Sequence, residues 1–455
     1  MDFESLLRKN IFPIPVGERW GYSTDNLYLL YSPFTRQTTL VDKGMAHRLE
    51  CVASGHTIPD DEATSVFNTL YADAASQLSK SRIRHPDDYV RMSIIPTHSC
   101  NFTCSYCYSR KGRRNESISV EHLRLAINYF LRERQFNKKF FLFISGGGEP
   151  LMAWDQLKFA IEYSRAKALE HGYSLEIMEI CNGSLLTEEV IDFLKKHHVN
   201  LCISFEILEE LQNIHRGHYS LVREKIGLLL QKKLYPSFNA TITPESVHHL
   251  SEMIEEVSRQ YPGVRNVMFE PFTAVDGFVS LEKMQDFYDS FLTEFTKAKQ
   301  LADALDIQLN TSILDDFNRV AERHCQGKLC LTPAGCFTIC HSATSPLEKQ
   351  FAKCVYGEVS TTKGLVFDQR KFEGLMNVNV YSRKECETCF AKWHCGGGCM
   401  NKLASYRPEE MAIYCSYYRK HILSLLLHDL ELQITQLTGS SLAQFLQTNF
   451  PHSGV

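Results

Sequence analysis

Cys100, Cys104 and Cys107 stand in the segment THSCNFTCSYCYSR with the spacing C-x3-C-x2-C. Three thiolates on one short loop can hold three irons of a [4Fe–4S] cube and leave the fourth iron without a protein ligand. Such an open coordination position separates a reactive metal centre from a closed structural one. A zinc site would need a fourth Cys or His, and His98 could supply it, so the spacing leaves both metals open. A second, denser group is Cys386-x2-Cys389-x5-Cys395-x3-Cys399 followed by Cys415, with Cys325-x9-Gly335-x4-Cys340 ahead of it. Pairs spaced C-x2-C commonly bind zinc, so residues 325–415 taken alone also read as a two-zinc module.

The chain has 455 residues and sixteen cysteines, and the cysteines are clustered: three in 100–107, five in 325–354 and five in 386–415. A disulfide scaffold would be small and secreted, whereas tight Cys groups in a long chain point to metal. Cys51 and Cys202 have no near partners and read as small buried apolar residues. The length calls for two or three domains. Apolar and charged fractions of 44% and 22% are those of an ordinary globular protein. A net charge of −4 gives no general attraction for nucleic acid or an anionic membrane. The start, MDFESLL, has no basic region leading into an apolar run, so it does not read as a secretory signal. The most apolar patches, Phe140 to Ile144 and His421 to Leu430, fall short of the roughly 20 residues that cross a bilayer. The expectation is a cytoplasmic protein with neither nucleic-acid nor membrane partners.

The elements that must position these thiols follow from patterning. Residues 91 to about 275 alternate strands with helices. The strands are Met92–Pro96, Phe140–Ser145, Leu175–Cys181, Leu201–Phe205, Ser237–Thr243 and Val267–Pro271. Helical patterns run over Val120–Arg134 and over Glu188–His197 behind the cap Thr187, and a third starts at Thr243-Pro244-Glu245. Six βα units imply a parallel sheet with its chemistry at the carboxyl ends of the strands. Ahead of them, Asn26 to Val41 reads as two short strands around Ser32-Pro33, then helices over Lys43–Ser54 and Asp60–Lys80. The basic run Arg110-Lys111-Gly112-Arg113-Arg114 reads as a solvated loop.

The first cysteine group resembles the signature of the radical S-adenosylmethionine (SAM) superfamily, and other segments match it in register. Gly146-Gly147-Gly148-Glu149-Pro150 is similar to the family's GGEP, Cys181-Asn182-Gly183-Ser184-Leu185-Leu186-Thr187 to its TNG-x-LLT, and Ile203-Ser204-Phe205-Glu206 to its ISxD. The resemblance implies that SAM is chelated by the open iron and cleaved by one electron to a 5′-deoxyadenosyl radical that abstracts hydrogen. It places Tyr106 against the adenine, Gly147 and Gly148 close to the ligand, Glu149 near the SAM ammonium, and Asn182 among the cofactor contacts. Ser204 falls at the ribose or carboxylate, Arg216 at the SAM carboxylate and Asn239, more weakly, nearby. Glu206 departs from the family's Asp and is the one weak candidate for a catalytic base.

The second and third groups resemble the SPASM extension of sulfatase maturases and peptide-modifying radical SAM enzymes, which binds two auxiliary [4Fe–4S] clusters. By that resemblance Cys386, Cys389, Cys395 and Cys415 hold the distal cluster and Cys325, Cys340 and Cys399 the proximal one. Cys330 is the best match for a fourth proximal ligand, with Cys336 and Cys354 as alternatives; without one, an iron stays open to substrate. The implied fold is α/β: a partial (β/α)6 barrel at 91–310, a winged-helix-like α+β module at 1–90, a Cys-rich SPASM domain at 311–420 and a helical tail at 421–455. The implied cofactors are SAM and three [4Fe–4S] clusters, and the partners a precursor peptide and an electron donor such as flavodoxin or ferredoxin. The implied activity is oxidative cross-linking of a ribosomally made peptide, with the N-terminal module docking that peptide by adding an edge strand along Leu27–Ser32. Formylglycine formation of the sulfatase-maturase type is the enzymatic alternative, and a zinc-binding adaptor the non-catalytic one.

Overall fold

The computed structural model describes residues 3–20, 26–56, 61–74, 78, 83–134, 137–274 and 277–450. The chain opens with α1 (Glu4–Arg8), β1 (Phe12–Pro15), β2 (Leu27–Ser32), β3 (Gln37–Asp42), α2 (Lys43–Ser54) and α3 (Asp61–Leu70). α2 begins where the Asp42 carboxylate accepts from the Met45 amide and ends at Gly55, whose φ of 80° is the left-handed conformation that glycine tolerates. Of the helix expected over Asp60–Lys80, α3 covers Asp61–Leu70, and Ala74 and Leu78 are again helical; residues 60, 75–77, 79 and 80 of that span lie outside the described residues.

The three strands form one antiparallel sheet in the order β1-β2-β3. β2 is therefore the central strand, and all six of its residues are buried. Tyr28 and Leu30 pack with Leu6, Leu49 and Leu70 of the helices, while Leu27, Leu29 and Tyr31 join the main core of the protein. This overturns Leu27–Ser32 as a docking edge. β1 escapes a pattern reading because Pro13 and Pro15 argue against a strand, yet an edge strand tolerates the missing amides. Among the described residues the edge left unpaired on the far side is that of β3.

The second sheet has eleven strands in the order β10-β9-β8-β7-β6-β5-β4-β11-β12-β13-β14. The six strands expected from the sequence are β4 (Arg91–Ile94), β5 (Lys139–Ile144), β6 (Ser174–Cys181), β7 (Val199–Ser204), β8 (Ser237–Ile242) and β9 (Asn266–Pro271). They pair in parallel and in sequential order, so each connection between them is a βαβ crossover. The crossovers are α4 (Val120–Phe130), α5 (Trp154–Glu170), α6 (Glu188–Lys196), α7 (Glu209–His215) with α8 (Tyr219–Gln231), and α9 (Leu250–Gln260). α6 shows why the reading succeeds: Thr187 caps Val190, two glutamates open the helix and two lysines close it. The helix expected from Thr243 instead starts at Leu250, because the Thr243 hydroxyl bonds the His215 ring at 3.0 Å and its amide donates to Ser246.

α10 (Leu281–Ala304) returns to β10 (Gln308–Asn310), which pairs parallel to β9, and α11 (Ser312–Phe317) follows. β11 (Leu329–Leu331) then adds to the free side of β4, so the same sheet continues into the Cys-rich region through β12 (Cys336–Thr338), α12 (Phe351–Cys354), β13 (Val355–Ser360) and β14 (Gly364–Phe367). α13 (Gln369–Met376), α14 (Lys392–Cys395), α15 (Met400–Ser405), α16 (Pro408–Thr438) and α17 (Leu442–Asn449) complete the chain. α16 passes residue 420 without a break. No helix among the described residues is long and apolar enough to cross a membrane.

On each parallel strand one side faces the helices and is closed. Ile94, Ile144, Ile177, Ile203, Ala240 and Phe269 are all fully buried there. The other side carries Phe143, Ile180, Ser204, Asn239, Met268 and Glu270, which keep partial exposure.

Candidate active site and cysteine groups

The loops that leave the carboxyl ends of β4, β5, β6 and β7 meet. The β5 loop reaches the cysteine loop through its backbone: the Gly148 amide donates to Thr97 O at 2.9 Å and the Glu149 amide to Ser99 O at 2.8 Å. A Cβ on Gly147 would stand 2.5 Å from the Ile95 side chain, and one on Gly148 only 1.9 Å from Ser99 O. The glycines thus serve to let two loops touch. The Glu149 carboxylate is buried and accepts from the amides of Asn182 at 2.7 Å and Leu151 at 3.1 Å. Burial pushes it up to about 7 against those two donors. The β6 loop is bound in the same way. Asn182 donates to Asn101 at 2.9 Å, Asn101 donates to Ser184 at 2.9 Å, and both the amide and the hydroxyl of Ser184 donate back to Asn182 Oδ1. Asn101 is the neighbour of Cys100 and was not singled out by the sequence.

Cys100, Cys104 and Cys107 lie within one another's electrostatic reach, and burial raises the first two thiols. Two guanidinium groups oppose that rise: Arg216 and Arg113 beside Cys104, and Arg113 beside Cys100. Arg113 Nη2 stands 3.3 Å from Cys107 Sγ, and its Nη1 donates to Phe102 O. It is therefore part of the site and not of a solvated loop. The sequence signal was only its place six residues after Cys107. His98 is buried, with Nδ1 3.2 Å from the Glu116 carboxylate and Nε2 without a hydrogen-bond partner among the described residues.

Tyr106, Glu206 and Arg216 form one buried set. The Tyr106 hydroxyl donates to Glu206 Oε1 and accepts from Arg216 Nη1 at 3.0 Å, and Arg216 lies 3.7 Å from Glu206. Glu206 has no exposed surface and is raised by burial, with Arg216 as the largest opposing influence. It is the counter-ion of Arg216, which weakens its reading as a free base. Removing one partner of a buried ion pair typically costs about 3–5 kcal/mol. Glu206→Leu is expected to destabilise the chain by that order in denaturant unfolding, and Glu206→Gln, which still accepts from Tyr106, by less; equal stabilities would show that the pair contributes nothing. Ser204 ends β7 opposite Asn239 of β8, whose buried Oδ1 has no partner among the described residues. Glu179, also missed, is buried on β6, neither of its carboxylate oxygens has a hydrogen-bond partner among the described residues, and burial pushes it up to about 8, with the nearby Glu149 adding to the rise.

Cys386, Cys389, Cys395 and Cys415 lie within one another's electrostatic reach. The Cys395 thiol is raised by burial and then by Cys415, Cys389 and Cys386, and Cys386 in turn feels Cys389 and Cys415. Arg383 lies beside Cys415 and Arg419 beside Cys389. In the proximal group, burial pushes the Cys340 thiol up to about 12, helped by Cys399, Cys325 and Cys354. Cys330 is apart: it lies inside β11, fully buried, paired with Ser93 on one side and Thr338 on the other. Cys336 faces Glu358 and Glu116 and no other thiol. Cys202 is buried, but Cys51 on α2 is half-exposed. All sixteen cysteines are free thiols. Among the described residues, no three His, Cys, Asp or Glu side chains converge tightly enough to hold one metal ion.

Residues 94–257 match the sequence profile of the Radical SAM superfamily. Among curated proteins, the chain is 22% identical over 206 residues to the radical SAM cyclopropyl synthase TigE of Paramaledivibacter caminithermalis, covering 40% of this chain and 41% of that one. It spans less than half the length of that relative. It is 23% identical over 327 residues to the serine-type anaerobic sulfatase-maturating enzyme of Klebsiella aerogenes, covering 66% of this chain and 77% of that one. Among solved structures, native anSMEcpe with bound AdoMet and Cp18Cys peptide superposes with a TM-score of 0.59 at 16% identity, over 74% of this chain and 98% of that one. The fold is shared.

Proposed function

We infer that this protein, whose residues 94–257 form a radical SAM domain, oxidatively modifies a ribosomally made peptide and joins one of its side chains to another residue. The observation that carries this reading is the presence of three separate groups of thiols, one of three and two of four, around a single sheet. Bound there, SAM and the three-thiol cluster would supply a hydrogen-abstracting 5′-deoxyadenosyl radical, and the auxiliary clusters a path for the second electron.

The chain's own residues do the positioning. Arg113 and Arg216 offset the negative charge that three thiolates bring together, since the thiols must deprotonate to bind iron. Asn101, Asn182 and Ser184 tie the cofactor loops to Cys100. The β3 edge, not β2, offers unpaired backbone groups to an incoming peptide strand. A peptide tethered there has a raised effective concentration at the partly exposed face of the parallel sheet. Formylglycine formation is the second reading, favoured by the likeness to the Klebsiella enzyme over 77% of its length.

Anaerobic reconstitution tests the inference. The full chain should take up about twelve irons, and changing Cys100, Cys104 and Cys107 to Ala should leave about eight. Deoxyadenosine release from SAM should vanish in that variant. Stoichiometric zinc without iron-dependent absorbance would sink the reading in favour of an adaptor. A product search with short peptides encoded beside the gene separates cross-linking from formylglycine formation.

A further inference from the structure

We propose that Cys354, and not Cys330, completes the proximal cluster, so that Cys325, Cys340, Cys354 and Cys399 close all four of its irons. This rests on the reading that the C-terminal region binds auxiliary clusters. It goes beyond that reading by fixing whether the proximal centre can bind substrate.

Backbone geometry brings the four together. β12 and β13 are antiparallel with Thr338 opposite Val355, and the Ile339 amide donates to Cys354 O at 2.9 Å. Cys340 and Cys354 therefore leave the same end of one hairpin. On the other side, the segment before Cys325 is stitched to the segment before Cys399. The Ala321 amide donates to Trp393 O at 2.8 Å and the His324 amide to Gly396 O at 2.7 Å. A Cβ on Gly396 would fall 2.1 Å from the His324 nitrogen, so these backbones are in direct contact. All four residues keep partial exposure.

Cys330 sits differently. It is the middle residue of β11, with no exposed surface, flanked by β4 and β12. Its thiol bonds the Thr338 side chain, and Lys328 and Glu348 are the charges it feels. No other thiol is among the groups that act on it, whereas Cys399, Cys325 and Cys354 all act on Cys340.

Charge supports the same grouping. A cube held by four thiolates is anionic, and nearby charge and hydrogen bonds set its potential. Arg323 lies near Cys325 and Cys399, Lys402 near Cys399, and Lys371 near Cys354. Arg323 is buried and fixed by the carbonyls of Val378 and Leu375. Cations thus surround the four thiols on several sides. With every iron closed, the proximal centre passes electrons and does not ligate a substrate heteroatom.

The test uses the full chain in a background with Cys100, Cys104 and Cys107 changed to Ala, which removes the catalytic site's own open iron. Cyanide labelled with carbon-13 then probes for an open iron by electron paramagnetic resonance of the reduced protein. The background and its Cys330→Ala derivative should each hold about eight irons and show no cyanide coupling. Cys354→Ala should either couple cyanide or lose about four irons, and Cys354→Ser, which keeps the side-chain size, should behave alike. Cyanide coupling in the background or in Cys330→Ala, or none in a Cys354→Ala protein that keeps all its iron, would overturn the assignment. Failure of the background itself to hold iron beyond trace would overturn the auxiliary-cluster reading and this assignment with it.

Discussion

Gly148→Ala is expected to empty the catalytic cluster while sparing both auxiliary groups, so that iron falls from about twelve to about eight. The added methyl would stand 1.9 Å from Ser99 O, 2.6 Å from Ser99 C and 2.8 Å from His98 C. These are backbone atoms and cannot rotate away. The loop from Thr97 to Ser99 must therefore shift, breaking the bonds from the Gly148 and Glu149 amides that align it, and Cys100 is the next residue. A displacement of about 1 Å at a reacting centre can cost about a hundredfold in rate. Deoxyadenosine release should drop by at least about that factor, measured beside iron content. Gly172→Ala is the control: its φ is 64°, but nothing lies within 4 Å of the new methyl, so it adds only backbone strain of about 1–2 kcal/mol. A Gly148→Ala protein with full iron and undiminished SAM cleavage would show that loop contact does not place the cluster.

That glycine also shows what a sequence can disclose. Gly148 is legible because a strand, a glycine run and an acid follow in order, and the six parallel strands are legible because each is an apolar run between turn signals. The caps Asp42 and Thr187 sit where the residue types require. What stays hidden depends on contacts between distant segments. β1 carries two prolines, so its role as partner of β2 appears only once the sheet exists. Thr243 has the residue type of a cap but spends its hydroxyl on His215. Arg113 lies in a run of charges that reads as solvent-facing, and only the folded loop turns it onto Cys107. Cys354 falls outside the spaced cysteines of the second group and of the Cys325–Cys340 segment, and the β12–β13 hairpin brings it toward Cys340.

Removing residues 1–82 is expected to cost the proposed distal cluster as well as the proposed peptide docking, because the N-terminal sheet lies directly on the element that carries Cys395. The Tyr31 hydroxyl meets His394 Nε2 at 2.5 Å, Trp393 Nε1 donates to Asn10 Oδ1 at 2.8 Å, and Phe34 packs edge-on against Trp393 at 4.9 Å. Lys392 Nζ lies 5.4 Å from the Phe12 ring centre, and Arg36 donates to Asn318 O. α14 is a single turn, Lys392–Cys395, set between Cys389 and Cys399. Without the module, Trp393 and His394, now 2% and 1% exposed, would face water. Uncovering a large apolar side chain costs about 1.5–3 kcal/mol, and losing a hydrogen bond about 0.5–1.5 kcal/mol. Against a total stability of roughly 5–15 kcal/mol, a one-turn helix cannot hold its place after such losses. The truncated chain should therefore bind about eight irons instead of twelve and lose the spectroscopic signal that Cys386→Ala and Cys389→Ala also remove. SAM cleavage should persist, since the thiols at 100–107 and their loops touch none of these residues. A truncated protein that keeps all its iron would show that the module rests on the distal site without supporting it.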